Sequence, residues 1–283
     1  MITIRNQHGR RFLGLAIATL LTFALGCQSI HLGPRSHQGK RECLHRILES
    51  GELRVGMTGA QPPLNMKNRK GELIGLDVEL ARALANAMDL NLVLVETPFA
   101  DLLDDLEDRK IDLVISSLTI TPVRNARVAF AGPYLISGSS LLTKEDLIDE
   151  LRDVPSLNNP ERTWAALEDS TGAELIHDVF PLANFVVIEN QEASIAQISK
   201  GEIDGLVADL PFVRFQVARN PDLGLATLPS PFTTEPLGIA LPPNSPLFAN
   251  LVQNYLNTLD ATGQLIQMKA RWLNAGDWLS EVP

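Results

Sequence analysis

One stretch of the chain reads Lys110-Ile111-Asp112-Leu113-Val114-Ile115-Ser116-Ser117-Leu118-Thr119-Ile120-Thr121-Pro122-Val123-Arg124. Residues 113–115 form an apolar, β-branched run that is typical of a buried parallel strand. Thr121 has the character of a helix N-cap and Pro122 that of a first helical residue. The stretch therefore predicts a strand, a polar loop and a short helix, in an α/β lobe whose ligands bind at the carboxyl ends of the strands.

The polar residues of this stretch predict an anion site. The hydroxyls of Ser116, Ser117 and Thr119 follow the strand, and Arg124 lies in the first turn of the helix, where free N–H groups favour an anion. Hydroxyls, amides and a guanidinium together suit a small carboxylate. The alternative is that the hydroxyls only cap the helix and that Arg124 is solvated. The stretch alone leaves both interpretations open.

The N-terminal region predicts export. Arginines within the first eleven residues precede a nearly charge-free run over residues 12–26. This run is short for a membrane span, and its one-sided charge is typical of a secretory signal. We therefore expect a signal peptide over residues 1–26.

The end of that run predicts a lipid anchor. Phe23-Ala24-Leu25-Gly26-Cys27 resembles a bacterial lipobox, although leucine stands one position late. We expect lipidation of Cys27 and a polar tether over residues 27–42, with a plain signal peptide or an uncleaved anchor as alternatives. Cys43 is the only other cysteine, and a disulfide between the two stays open if Cys27 carries no lipid.

Charge and motif content exclude several classes of protein. Removal of residues 1–26 takes away three arginines and leaves 21 basic and 34 acidic residues, a net charge of −13 (21 − 34). Nucleic-acid binding needs basic patches, so this balance argues against it. We find no Ser-His-Asp order, phosphate-binding glycine loop or metal-spaced His/Cys cluster. The sequence predicts no cofactor, no metal and no enzymatic activity.

The remaining chain predicts two α/β lobes. The first contains alternating strands and helices at residues 52–57, 77–88, 92–95, 101–108 and 113–115. A charged stretch at residues 144–162 precedes a second alternating series, at residues 173–179, 185–188, 194–200 and 203–208.

A weak internal repeat links the two lobes. Residues 103–112 and 195–204 both run through an apolar helix into Ile-Asp and a Val-bearing strand. The first unit leads to Arg124 and the second to Asp209, and opposite charges from two lobes suit a bound zwitterion. The alternative for Asp209 is a helix cap before Pro211.

The chain resembles the extracellular solute-binding proteins of bacterial ABC importers for polar amino acids. The resemblance extends from about residue 51 to residue 273. The matching segments are Gly51-Glu52-Leu53-Arg54-Val55-Gly56, Gly71-Glu72-Leu73-Ile74-Gly75-Leu76-Asp77, Ser116-Ser117-Leu118-Thr119-Ile120-Thr121 with Arg124, Ser170-Thr171-Gly172-Ala173 and Ala208-Asp209.

The resemblance implies a periplasmic-binding-protein-like fold. Two lobes, each a mainly parallel sheet flanked by helices, are then joined by two hinge strands near Thr143 and Leu237 and close on a ligand. The first lobe is expected at residues 43–142 plus 238–283, and the second at residues 143–237.

The resemblance also assigns ligand contacts. Arg124 is expected to bind the α-carboxylate of an amino acid, Asp209 its α-ammonium, and Phe99 to form an apolar wall. Thr58 and Gln61 stand where the family often carries an acid and an aromatic ring, which favours a neutral polar or acidic ligand over lysine or arginine. The predicted ligand-binding residues are Thr58, Gln61, Phe99, Ser116, Ser117, Thr119, Arg124, Thr171, Gly172 and Asp209.

The implied function is amino acid import. We expect a monomeric binding protein, held by a lipid in the periplasm or on the extracytoplasmic face of the cell membrane, that delivers its ligand to an ABC permease in the inner membrane. One alternative is a cyclohexadienyl or arogenate dehydratase on the same fold, with Glu174 or Glu235 as its acid. The other is a ligand-sensing receptor module.

Overall fold

The computed structural model describes residues 43–151, 153–274 and 276–282. The predicted signal peptide, Cys27 and the tether lie outside these residues. In the described part of the chain, none of the helices combines the length and the apolarity that a membrane span needs.

A five-stranded sheet forms the first lobe. Its strands are β1 (Glu52–Met57), β5 (Asn91–Glu96), β6 (Leu113–Val114), β7 (Ala129–Ser137) and β13 (Glu235–Leu241), in the order β5-β1-β6-β13-β7. β1 pairs in parallel with β5 and β6, whereas β13 pairs antiparallel with β6 and β7. Four of the five strands therefore point the same way, and the sheet is mostly parallel as expected.

Amphipathic helices cover this sheet. They are α1 (Cys43–Ser50), α2 (Leu76–Ala87), α3 (Leu102–Glu107), α4 (Pro122–Arg127), α10 (Pro246–Ala261) and α11 (Gln264–Leu273). In α2, Leu76, Leu80 and Leu84 recur at helical spacing and are buried in the core. The sequence missed a small sheet of β2 (Ala60–Gln61), β3 (Asn65–Lys67) and β4 (Leu73–Ile74), because strands this short carry almost no periodic signal.

The second lobe repeats the arrangement. Its strands are β8 (Ser139–Lys144), β9 (Thr163–Leu167), β10 (Asn184–Ile188), β11 (Gly205–Asp209) and β12 (Leu225–Thr227), in the order β10-β9-β11-β8-β12. Its helices are α5 (Glu145–Ile148), α6 (Val154–Leu157), α7 (Thr171–Val179), α8 (Ala193–Lys200) and α9 (Leu210–Arg219). The sequence missed β9, whose two central alanines give a weak strand signal, and α9.

The chain crosses between the sheets twice. It leaves β7 and enters β8 at Gly138, and it leaves β12 and enters β13 across residues 228–234. The expected lobe boundaries at 142/143 and 237/238 fall inside β8 and β13. Both crossings between the sheets therefore lie at earlier residues than these boundaries. An apolar run shows that a strand exists but does not show which sheet it joins.

An aspartate at equivalent places in the two lobes confirms the internal repeat. The Asp112 carboxylate accepts from the backbone N–H of Arg54 at 2.9 Å, and the Asp204 carboxylate accepts from that of Thr163 at 2.7 Å. The Asp112 N–H donates to the Arg54 carbonyl, and the Asp204 N–H to the Thr163 carbonyl. Each aspartate thus hydrogen-bonds the starts of two neighbouring strands to one another, which explains why the Ile-Asp pair occurs in both lobes.

Candidate functional site

A cavity of about 20 Å³ lies between the lobes. This volume holds about one water molecule, so the lobes are closed against one another. Arg124 of the first lobe and Asp209 of the second both line it. The other lining residues are Gln61, Phe99, Ser117, Thr119, Ser139, Leu167, Ser170, Thr171, Gly172, Gln191 and Ala208.

Arg124 is a buried cation at this cavity. Thr121 caps α4 by accepting from the Arg124 N–H at 3.2 Å, and Pro122 begins the helix, as the sequence predicted. The side chain is 8% exposed, which excludes the solvated alternative. Its guanidinium donates to the carbonyls of Thr119 in the first lobe and Asp169 in the second, at 3.1 and 2.8 Å. Burial lowers the pKa of this guanidinium, but an arginine stays charged.

Phe99 forms a wall beside the arginine. The Arg124 guanidinium carbon lies 5.6 Å from the centre of the Phe99 ring, within range of a cation–π interaction. The ring also lines the cavity, at the position where the resemblance placed an apolar wall.

Asp209 faces the cleft and does not cap α9. It occupies the N-cap position, yet its side chain makes no capping hydrogen bond. Its carboxylate instead accepts from the Ser117 hydroxyl of the first lobe at 2.6 Å. Burial raises its pKa to about 7, with Glu235 and Asp77 adding repulsion and Ser117 and Arg124 opposing the shift. Near neutral pH, Asp209 is therefore a carboxyl group whose ionised form a bound cation would stabilise.

A buried carboxylate, that of Asp77, positions Ser117. Asp77 accepts from the Ser117 N–H at 3.1 Å, from Asn65 Nδ2 at 2.7 Å and from the Tyr134 hydroxyl at 2.8 Å. Ser117 has a φ of 48°, a conformation that a serine rarely adopts without support. The Asp77 network holds that conformation and so aims the hydroxyl at Asp209.

The Glu235 carboxylate accepts hydrogen bonds from the hydroxyl groups at the base of the cleft. Its carboxylate accepts from Thr119 of the first lobe at 2.8 Å and from Thr171 of the second at 2.6 Å. Ser139 and Thr233 donate to it as well. These hydrogen bonds oppose the effect of burial, and the pKa of Glu235 is lowered. An ionised carboxylate has no proton to donate, which argues against the predicted role of Glu235 as an acid.

The N-terminus of α7 adds two free amides. Thr171 and Gly172 line the cavity, and neither backbone N–H donates to another described residue. A Cβ at Gly172 would lie 2.9 Å from the Val207 carbonyl oxygen, so only glycine fits this close approach. With the Thr171 hydroxyl committed to Glu235, the backbone of this turn is what remains available to an anion.

Two predicted contacts lie outside the central cavity. Ser116 is buried, donates to Gln61 Oε1 at 3.0 Å and accepts from the Thr58 N–H at 3.1 Å, so it braces the first-lobe loop. Thr58 lines a neighbouring cavity, while Gln61 lines both. Glu174, the other predicted acid, is exposed and lies on the far side of Arg124.

Sequence reasoning missed Asp77, Glu235 and Gln191 as contributors to the site. Asp77 stands in a segment that matches the family, Glu235 was expected only as the acid of the alternative enzyme, and Gln191 lies in no motif. No local pattern marks them, because their partners are distant in sequence. Among the described residues, no group of three or more His, Cys, Asp or Glu side chains is arranged to hold a metal ion.

Comparison with known proteins shows the family of the chain. The sequence model of the bacterial extracellular solute-binding proteins, family 3, matches residues 53–275. The chain belongs to this family. As a member, it shares its two-lobed architecture with solved structures of amino acid-binding proteins.

Individual relatives include binding proteins and one enzyme. The chain is 27% identical over 225 residues to ABC transporter arginine-binding protein 1 of Escherichia coli, covering 78% of this chain and 90% of that protein. It is 28% identical over 253 residues to cyclohexadienyl dehydratase of Pseudomonas aeruginosa, covering 89% and 94%. A binding component of an ABC transporter from Wolinella succinogenes, complexed with lysine, is 33% identical with a TM-score of 0.78, covering 81% and 99%. Most of the similar curated proteins are binding proteins, and an enzyme is among them.

Proposed function

We propose that this family member captures an amino acid between its lobes and delivers it to an ABC permease in the inner membrane. The observation that carries the proposal is that Arg124 and Asp209, one from each lobe, line one closed cavity. Arg124 and the free amides of Thr171 and Gly172 would hold the α-carboxylate. Asp209 and the Ser117 hydroxyl oxygen would accept from the α-ammonium.

The charged hydrogen bonds that the site offers to a zwitterion are of the size that a micromolar affinity requires. A hydrogen bond to a charged group contributes about 1.5–3 kcal/mol, and a micromolar dissociation constant corresponds to about 8 kcal/mol. Several such bonds to one zwitterion supply that amount after the cost of association. Because each end of the ligand would contact residues of both lobes, binding would favour the closed arrangement.

Location and assembly form part of the proposal. The pattern of residues 1–27 supports export and lipidation of Cys27, which would keep the protein on the extracytoplasmic face of a membrane or in the periplasm. We propose that the protein acts as a monomer, because both halves of the site come from one chain.

A thermal-shift screen of the twenty L-amino acids against residues 28–283 tests the proposal. We expect one or a few of them to raise the melting temperature. Arg124→Ala should abolish the shift while the unliganded protein still folds. A folded protein that responds to no amino acid would contradict the proposed function.

A dehydratase is the second candidate, and one observation favours it. A dehydratase of prephenate or arogenate needs an acid that protonates the departing hydroxyl, which leaves as water while the ring carboxylate leaves as CO2 and the electrons of its bond make the ring aromatic. Asp209, with its pKa raised to about 7, lies in the cavity that Arg124 would offer to such a carboxylate substrate. Turnover of prephenate or arogenate, lost in Asp209→Asn, would support this function. The binding function stands if neither compound is consumed.

A further inference from the structure

A larger cavity adjoins the central one. Its volume is about 570 Å³, and residues of both lobes line it. It shares Gln61, Phe99, Leu167 and Gln191 with the central cavity. A ligand whose α-carboxylate and α-ammonium lie between Arg124 and Asp209 would therefore extend its side chain past these four residues.

The lining of this outer cavity is strongly acidic. Glu96 and Asp101 of the first lobe and Glu168 and Glu189 of the second contribute carboxylates, and no Lys, Arg or His is among the described lining residues. Among the described residues, only Lys67 forms an ion pair with one of these carboxylates, its Nζ lying 2.7 Å from Glu96. Phe99, Pro98 and Leu167 offer apolar surface for methylene groups along the way.

A buried amide at the junction points to a ligand. Gln191 lines both cavities and is only 6% exposed. Its side-chain amide makes no hydrogen bond to another described residue, so its oxygen and nitrogen are available to a ligand in the cavities that they line. An N–H donor on the ligand side chain would satisfy its oxygen. The carboxylates and the amide thus favour the same chemistry, a cationic group rich in N–H donors.

We propose that the outer cavity binds the cationic end of an extended amino acid side chain, in the class of L-arginine and L-lysine. This inference rests on the proposed function. It replaces the sequence-based expectation of a neutral polar or acidic ligand, which considered only Thr58 and Gln61 of the first-lobe loop. The carboxylates come from three other loops, which the tertiary structure brings to the mouth of the cleft.

Calorimetric titration with L-arginine and its uncharged isostere L-citrulline tests the assignment. We expect L-arginine to bind at least about tenfold more tightly. Each exposed carboxylate of this kind changes affinity by about 1.4- to 5-fold, so Glu168→Gln/Glu189→Gln should reduce the arginine-to-citrulline ratio by about 2-fold or more. Glu202→Gln, which removes one negative charge next to the opposite end of β11, should leave the ratio unchanged.

A third variant tests the amide. Gln191→Leu should weaken L-arginine binding without affecting the melting temperature of the unliganded protein, because the amide has no internal partner to lose. Equal affinity for L-arginine and L-citrulline, a ratio that the double variant does not change, or a preference for L-glutamate would overturn the inference while leaving the proposed function intact. Absence of binding by any amino acid would contradict the proposed function itself.

Discussion

The Ser117 hydroxyl donates to the Asp209 carboxylate at 2.6 Å, although 92 positions and two different lobes separate these residues. The bond closes the cleft at the place where the proposed ligand's ammonium would lie. An arriving cation would join this pair and convert a carboxylate whose pKa is about 7 into a fully ionised partner.

Ligand binding should therefore release a proton near neutral pH. The α-ammonium favours ionised Asp209, so we expect affinity to rise with pH between 6 and 8, by up to about tenfold per unit below the pKa. Calorimetry at pH 6.5 in two buffers of different ionisation enthalpy would count the released protons. Affinity that is constant across this range would show that Asp209 does not contact the ammonium.

The stability of the unliganded protein should decrease as pH rises from 5 to 7. The pKa values of Asp209 and Asp77 are raised from 3.8 to about 7 and about 6, so the folded state binds more protons than the unfolded state in this range. Glu235 acts in the opposite sense, but its pKa is lowered from 4.5 and it stays ionised above pH 5. Urea unfolding at several pH values would measure the trend, and Asp209→Asn should flatten it.

The two repeated aspartates offer a matched pair for a stability test. The Asp112 side chain is 1% exposed and pairs with the guanidinium groups of Arg46 and Arg54. The Asp204 side chain is 26% exposed and, among the described residues, pairs with one guanidinium group, that of Arg162. Asp112→Ala should lower the free energy of unfolding by about 2–3 kcal/mol, since it removes a buried carboxylate that accepts charged hydrogen bonds from two half-buried guanidinium groups. Asp204→Ala should cost about 1 kcal/mol. Equal losses in denaturant melts would contradict this account.

Aromatic residues near the C-terminus connect the lobes behind the cleft. Trp278 packs against Trp272 at 5.5 Å between ring centres and stacks on Phe215 of α9, in the second lobe, at 5.7 Å. Trp272 donates to Glu79 of α2, and the Val282 carbonyl accepts from Arg69, so this segment is attached to the first lobe.

Trp278→Ala should weaken closure. Loss of the contact with Phe215 favours an open form, so we expect a larger radius of gyration by X-ray scattering and an affinity lower by about 2- to 10-fold. Phe185→Ala, at an exposed aromatic residue of β10, is the control. An unchanged radius and affinity would show that the aromatic contact does not influence the lobes.

Much of the fold could be predicted because it is encoded locally. Strand β1 and the start of α4 lie where the sequence placed them, since the apolar pattern of a strand and the Thr121-Pro122 pair are local signals. Strand β9 and the sheet of β2, β3 and β4 were missed because short or alanine-rich strands depend on their neighbours for stability.

Site residues could be predicted from the sequence only where a charged side chain stands at a recognisable end of a helix or strand. Arg124 follows a helix start, and Asp209 ends a strand, so both were found. No local pattern distinguishes Glu235 or Gln191. Glu235 contributes because distant hydroxyls donate to it, and Gln191 because it lines both cavities and its amide has no partner among the described residues.

The sequence by itself determined the two alternating α/β series, the acidic balance and the identity of the two charged groups. The tertiary structure alone decided that those groups share one cavity, that the threonine hydroxyls are committed to Glu235, and that four carboxylates surround the outer cavity. The physical reason is the distance along the chain over which each interaction acts. Periodicity and capping act within a few residues, whereas a cleft between lobes is made of contacts between segments about a hundred positions apart, which only chain packing brings together.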